Sequence, residues 1–253
     1  MNLFDLTGKT ALVTGASRGI GRAIAEAMAG AGADLALVAR SADGLAETAR
    51  LASEHGGKAH VIQADVTRQE SVAEAVATAI EQLGAVDILV NNAGGSNFLV
   101  PFTDLRLPGW DKIMTLNLSS AVYACHAIGP HMIARGRGSI INVASVAGVV
   151  SAPFLAPYGA AKAGLISLTR SLAVEWAEAG VRVNALCPGW TATDLNRNLW
   201  DTEDGGRATV EAVPMKRWGR AGEMAGPAVF LASDAASYMT GQVVVVDGGQ
   251  TAI

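Results

Sequence analysis

The chain has 253 residues, half of them hydrophobic and 17% charged, and a formal net charge of -4. A chain this long buries roughly 70–75% of its unfolded surface and holds a core without disulfides. With no basic stripe a nucleic-acid partner is excluded, four scattered histidines offer no metal-ligand spacing, and the distant pair Cys125 and Cys187 reads as free thiols of a reducing, cytoplasmic compartment.

The N-terminal MNLFDLTGKT carries Asp5 and has no basic region followed by an apolar one, unlike a signal peptide. Thr10–Thr14 reads as the first strand. It leads into Gly15-Ala-Ser-Arg-Gly19-Ile-Gly21 and then directly into a helix expected over Gly19–Ala31. Glycines let a backbone turn tightly and approach a phosphate, and a helix start offers free N–H groups to an anion. Gly15, Ser17, Arg18, Gly19, Ile20 and Gly21 are therefore candidate cofactor contacts. A plain strand–helix turn needs glycine too, but a turn after the first strand of a βα series favours a dinucleotide.

Leu35–Ala39 is the second strand and ends at Arg40. This is where a carboxylate accepts from a ribose 2′-hydroxyl or an arginine accommodates a 2′-phosphate. No carboxylate occupies the last strand positions, and Arg18 adds a second guanidinium to the region. Two forked cations suit a phosphate dianion, so NADP(H) is preferred to NAD(H), which remains possible.

A helix over Ala42–His55 precedes a third strand, His60–Ala64, closed by Asp65-Val66. Thr67 and Glu70 form a capping-box pattern before the helix Gln69–Leu83, which Gly84 stops. The fourth strand is expected at Val86–Val90, and a long helix at Pro108–Arg135. Asn117 lies inside that helix, in Ile113-Met-Thr-Leu-Asn117-Leu118. Asn is a poor helix-interior residue, and once buried it needs partners, structural or otherwise.

Ser139–Ala144 is the fifth strand, with Ser145 at its carboxyl end. The chargeless stretch Gly138–Ala161 is long enough for a membrane span, but Asn142, Pro153 and Pro157 make it a buried strand and loop, so no membrane association is expected. The helix Tyr158–Ala179 follows, then the strand Arg182–Cys187, a helix over Glu223–Ala232 and a last strand, Val243–Val246. Trp190–Arg217 lacks strand character and follows the sixth strand at the ligand-binding edge of such sheets. It reads as a substrate lid, with a plain surface excursion as the competing reading. Strand–helix alternation without a dividing linker implies one α/β domain over residues 1–253, a doubly wound parallel sheet with right-handed crossovers.

Tyr158 and Lys162 are four residues apart and share a helix face. Alone they are an ordinary surface pair. With Ser145 and Asn117 they acquire a joint purpose. Reducing a ketone needs a hydride on carbon and a proton on oxygen. A phenol with a pKa near about 10 is a sluggish acid. A neighbouring ammonium lowers that value toward the operating pH. A serine hydroxyl can hold the carbonyl oxygen, and an asparagine can anchor a water that relays protons.

The sequence resembles the short-chain dehydrogenase/reductase family. The resemblance rests on TGASRGIG (Thr14–Gly21), Asp65-Val66, NNAG (Asn91–Gly94), Asn117, Ser145, Tyr158-Gly-Ala-Ala-Lys162, Pro188-Gly189 and Val246-Asp-Gly-Gly249, in order over almost the whole chain. It implies a Rossmann-type seven-stranded parallel sheet with three helices on each face. It implies Tyr158 as general acid/base and Lys162 as the group that lowers its pKa and binds the nicotinamide ribose. Ser145 would orient the substrate oxygen and Asn117 hold a relay water. Asp65 would meet the adenine amino group, with Val66 beside it. Asn91, Ala93 and Gly94 would line the cofactor cleft, and Pro188, Gly189, Thr191 and Thr193 would approach the nicotinamide. A homotetramer is implied as well. Ala221 stands where many members have proline, and Thr191 where an aliphatic residue is frequent. The substrate is expected to be a small carbonyl or alcohol compound. A 3-oxoacyl thioester on a carrier protein and a polyol or sugar are both open, and Arg135 and Arg137 are the nearest candidates for a carrier-docking patch. A non-catalytic dinucleotide sensor would be expected to lack Tyr158 or Lys162.

Overall fold

In the computed structural model the apolar runs and amphipathic segments alternate as strands and helices; it describes residues 2–96 and 98–252. The first half contains β1 (Thr10–Thr14), α1 (Gly19–Gly30), β2 (Asp34–Ala39), α2 (Ala42–Ser53), β3 (Ala59–Gln63), α3 (Gln69–Leu83) and β4 (Ile88–Asn91). The middle contains α4 (Leu107–Met114), α5 (Ser120–Ala134), β5 (Gly138–Val143), α6 (Ala156–Trp176) and β6 (Val181–Pro188). The last part contains β7 (Thr191–Ala192), α7 (Arg197–Trp200), α8 (Arg207–Val210), β8 (Gly219–Arg220), α9 (Ala225–Ala232) and β9 (Val243–Val246).

Seven strands form one parallel sheet in the order β3-β2-β1-β4-β5-β6-β9. Both faces are covered, so the strands read as continuous Val, Ile, Leu and Ala rather than as alternating patterns. Ile24 and Met28 of α1, Leu45 of α2 and Leu231 of α9 pack with Val13 and Leu35 on one face. Val72 and Val76 of α3, Ile128 and Met132 of α5 and Ala173 of α6 pack with Leu12 and Ile140 on the other. This is the expected single-domain, doubly wound Rossmann-type sheet with three helices per face. Strand order reverses between β1 and β4, which opens a crevice at their carboxyl ends, the ligand position of such sheets.

The structure changes several local expectations. The helix expected over Pro108–Arg135 is interrupted by a π-helical turn, Thr115–Ser119, between α4 and α5. The Asn117 side chain causes the interruption. Its Nδ2 donates to the Ile113 carbonyl (3.0 Å), so it competes for the helix ladder, and to the Gly95 carbonyl (2.9 Å). The Thr67/Glu70 capping box does not form. Arg68 is the N-cap, without a side-chain bond, because the Thr67 hydroxyl donates to Asp65 Oδ1 instead (2.7 Å). The fourth strand starts at Ile88, since the Val86 N–H is taken by His131 Nε2 (3.2 Å). Gly84 ends α3 at a φ of 75°, as expected. Among the described residues no helix is long and apolar enough to cross a membrane.

Candidate active site

The crevice is built first by the turn after β1. Gly15 and Gly19 adopt φ of 66° and 58°, a left-handed conformation that favours glycine. Thr14 Oγ1 accepts from the N–H groups of Asn92 (3.0 Å) and Ala93 (3.1 Å). Asn92 Nδ2 donates back to the carbonyls of Thr14 (3.0 Å) and Gly15 (3.2 Å). These bonds tie the turn to the Asn91–Gly94 loop. A Cβ on Gly15 would stand 2.8 Å from Asn92 Nδ2, so any side chain there would push the two segments apart. Helix α1 starts behind Arg18 with no side-chain cap, which leaves its first N–H groups and positive end to an anion. Ser17 is half-buried, Arg18 exposed and Gly21 buried. Ile20 packs against the core and anchors the helix.

Arg40 stands exposed where β2 ends, and its carbonyl accepts from Gln63 Nε2 (2.8 Å). Asp65 Oδ1 accepts the Thr67 N–H (3.0 Å) and hydroxyl (2.7 Å). Those bonds, reinforced by the charge of Arg40, hold its carboxyl below the ordinary value. One oxygen of Asp65 is thus spent on its own turn. Val66 is buried beside it.

The four residues that the sequence offers as catalytic candidates come from the π turn, the end of β5 and the start of α6. Lys162 is only 3% exposed, and its Nζ donates to the Val143 carbonyl (2.8 Å). It lies 5.7 Å from the centroid of the half-buried Tyr158 ring. Ser145 Oγ accepts from the Ala147 N–H (3.2 Å). Asn117 Oδ1 accepts from the Gly95 N–H (2.7 Å). A Cβ on Gly94 would stand 2.7 Å from Asn117 Oδ1 and 3.1 Å from Lys162 Nζ, so this exposed glycine keeps open the space beside both groups. Asn91 sits deeper. Its Nδ2 donates to Asn142 Oδ1 (2.8 Å), and its own Oδ1 has no partner among the described residues. Ala93 is half-buried between them.

One electrostatic expectation needs correcting. Burial is the largest influence on Tyr158 and raises its pKa, with the Ser145 hydroxyl pulling it partly back. The Lys162 Nζ donates to the Val143 carbonyl at the end of β5. Burial pushes Lys162 itself down to about 8. The Asn117 side chain is also largely committed: both of its donors go to carbonyls, and Oδ1 holds Gly95. A relay water would have only the remaining lone pair of Oδ1.

Pro188 ends β6 opposite Val246, and the Gly189 N–H donates to the Val246 carbonyl (3.0 Å). Thr191 is buried, and its hydroxyl donates to the Gly189 carbonyl (3.1 Å). The Thr193 hydroxyl donates to Asn196 Oδ1 (3.1 Å), and its methyl stands 3.4 Å from where a Gly19 Cβ would be. The segment after Gly189 is more ordered than a plain excursion. β7 pairs with β8, and Trp190 meets Trp218 edge to face at 5.4 Å, which joins its two ends. Between them Leu195 lies against Gly95.

Cys187, read in the sequence only as a free thiol, lies beside the catalytic candidates. It is fully buried in β6, its thiol is pushed up to about 11 by burial, and Lys162 and Ser145 both act on it. Arg135 and Arg137 pair with Asp87 (2.7 and 3.2 Å), whose carboxylate also accepts the Thr10 N–H (3.1 Å). They therefore sit at the amino end of the sheet, opposite the crevice, and do not flank it. Among the described residues no cluster could hold a metal ion.

A family model described as enoyl-(acyl carrier protein) reductase matches residues 15–251. A gluconate 5-dehydrogenase of Gluconobacter oxydans is 39% identical over 99% of this chain and 97% of its own. A 3-oxoacyl-[acyl-carrier-protein] reductase of Synechocystis sp. is also 39% identical, over 96% of this chain and 97% of its own. In structure, a gluconate 5-dehydrogenase of Burkholderia cenocepacia in complex with NADP and tartrate superposes with a TM-score of 0.94 at 37% identity, covering 100% of this chain and 98% of its own.

Proposed function

The chain belongs to the short-chain dehydrogenase/reductase family, and we propose that it transfers a hydride between NADP(H) and a ketone or secondary alcohol with Tyr158 as general acid/base. The observation that carries this reading is the convergence of Gly94, Asn117 and Lys162 beside Tyr158 and Ser145, next to an uncapped helix start. The uncapped start of α1 and the glycine approach of Gly15 to Ala93 fit a dinucleotide. The turn Gly15–Gly21 would take its phosphates. Arg40, with Arg18, would take the 2′-phosphate, and Asp65 and Val66 the adenine side. Asn91, Ala93, Gly94, Pro188, Gly189, Thr191 and Thr193 would line the rest of the cleft. When bound, the nicotinamide supplies or accepts the hydride. Tyr158 gives the proton to the substrate oxygen during reduction and takes it back during oxidation. Ser145 positions that oxygen. Lys162 lies close enough to recharge the tyrosine through a short relay. The segment 190–217 acts as a lid, with Leu195 over Gly95 and Thr193 over Gly19.

A polyol or sugar acid suits the gluconate 5-dehydrogenases among the relatives. The acyl-carrier alternative, favoured by the Synechocystis relative, loses its one candidate docking patch, because Arg135 and Arg137 are paired with Asp87 away from the crevice. The two buried thiols suit a reducing cytoplasm. Exposed Val122 and Ile133 on α5 and Val174 on α6 favour assembly through these helices into a homotetramer; sedimentation as a monomer would contradict it.

Arg40 supplies the cofactor test. Arg40→Asp removes a charge-assisted bond to a 2′-phosphate and places a repelling carboxylate there. The NADP(H)/NAD(H) ratio of kcat/KM is expected to fall by about 100-fold. An unchanged ratio removes Arg40 from the account.

A further inference from the structure

Beneath the glycine turn lies a polar cluster that the proposed site does not use. Thr48 of α2 is fully buried, and its hydroxyl donates to the Ala16 carbonyl (2.8 Å), with the Gly44 carbonyl also in reach (3.0 Å). The same oxygen accepts from Arg22 Nε (3.0 Å). Arg22 Nη2 donates to the Ser17 carbonyl (2.6 Å) and reaches the Gly44 carbonyl (3.3 Å). Two residues thus join backbone atoms of the glycine turn, Ala16 and Ser17, to the first turn of α2.

The contact is close. A Cβ on Gly44 would stand 2.8 Å from Ser17 Cβ and 3.0 Å from the Ser17 carbonyl oxygen, so only glycine lets α2 come so near. Immediately before it, Ser41 Oγ accepts the Gly44 N–H (3.2 Å) and caps the helix, and Arg40 precedes Ser41. On the dinucleotide reading, the start of α2 would carry the residues facing the 2′ side of the adenosine, and the glycine turn would face the diphosphate.

We propose that Arg22 and Thr48 are positioning residues for cofactor selection. They hold the Arg40–Ser41 corner at a set distance from the phosphate turn, so that one ligand meets both at once. The proposal rests on the dinucleotide reading of the turn. It assigns to the two residues no contact with the cofactor. A buried hydroxyl bonded to a guanidinium and to backbone carbonyls is rigid, and a ligand held at two points is sensitive to their separation.

The test is equilibrium binding of NADPH and NADH, followed by nicotinamide fluorescence, to the wild type, Thr48→Val, Thr48→Ser and Arg22→Met. Melting temperature is recorded alongside. Thr48→Val and Arg22→Met are expected to weaken NADPH by about tenfold and NADH by clearly less. Thr48→Ser, which keeps the hydroxyl, restores the wild-type ratio. In steady state the loss falls on KM for the cofactor rather than on kcat. An equal loss for both cofactors, or lower melting temperatures with unchanged affinities, overturns the proposal. If the wild type binds neither nucleotide, the dinucleotide reading itself fails, which is a separate result.

Discussion

Tyr158→Phe is expected to reduce turnover by about 10²–10⁴-fold while leaving cofactor affinity within a few-fold of wild type. The ring stays, so packing in the half-buried site changes little; only the proton donor is removed. Burial raises the Tyr158 pKa, and this fixes the sign of the wild-type pH dependence. The neutral phenol persists through neutral pH, so carbonyl reduction runs at full strength there and declines as pH climbs through the raised value. Alcohol oxidation needs the phenolate and rises over the same interval. Profiles of kcat/KM in both directions, carried from neutrality to well above the ordinary tyrosine value of about 10, read the two limbs. Parallel profiles in the two directions would remove Tyr158 from the proton-transfer role.

Lys162→Met carries the second large effect. Turnover is expected to fall by about 10²-fold or more, because the only ammonium near Tyr158 among the described residues is removed. Its effect on stability follows from two opposing magnitudes. A lysine pushed down from 10.5 to about 8 holds its charge in the folded chain at a cost of about 3 kcal/mol. Removing it leaves the Val143 carbonyl without its donor, which costs about 1–3 kcal/mol. Near pH 7 these nearly cancel, and the variant melts close to wild type. Between about pH 8 and about pH 10 the folded wild type releases this proton before the unfolded chain does, so the penalty is relieved and wild-type stability rises relative to the variant. Thermal unfolding of both proteins across this range checks the sign. A difference independent of pH means that Lys162 is not held at a depressed pKa.

The fold was legible in the sequence because the covered strands announce themselves as unbroken apolar runs. Gly15 and Gly19 mark the turn after β1 for the same kind of reason: their left-handed φ is a local demand that only glycine meets cheaply. What was hidden depends on partners distant in sequence. Asn117 looked like a misfit in one long helix. Its bonds to Gly95, 22 residues away, turn that misfit into a π turn that ties the helix to the cleft loop. The Thr67/Glu70 pattern was locally sound, but Asp65 offered the Thr67 hydroxyl a charged acceptor and took it.

The candidate catalytic residues show the same division. Residue types and spacing predicted a Tyr–Lys pair on one face of α6, and the structure places them so. The direction of the Tyr158 pKa was misjudged, since a sequence shows which charges are neighbours and not how deeply they are buried. Lys162 is 3% exposed and spends its proton on the end of β5. Cys187 has meaning only once β6 lies beside β5, in a register that pairs Val143 with Leu186, the residue before it. Thr48 and Arg22 were likewise invisible as a pair until α2 packed onto the glycine turn.

The central claim is that this site couples a nicotinamide hydride to a proton carried by Tyr158. It is tested most directly by following nicotinamide absorbance with NADP(H) and NAD(H) against a panel of ketones, polyols, sugar acids and 3-oxoacyl thioesters, with wild type and Tyr158→Phe side by side. The account predicts turnover of at least one ketone or secondary alcohol by the wild type, faster with NADP(H), and loss of that activity in a variant that still binds the cofactor. Turnover by Tyr158→Phe at the wild-type rate would contradict it.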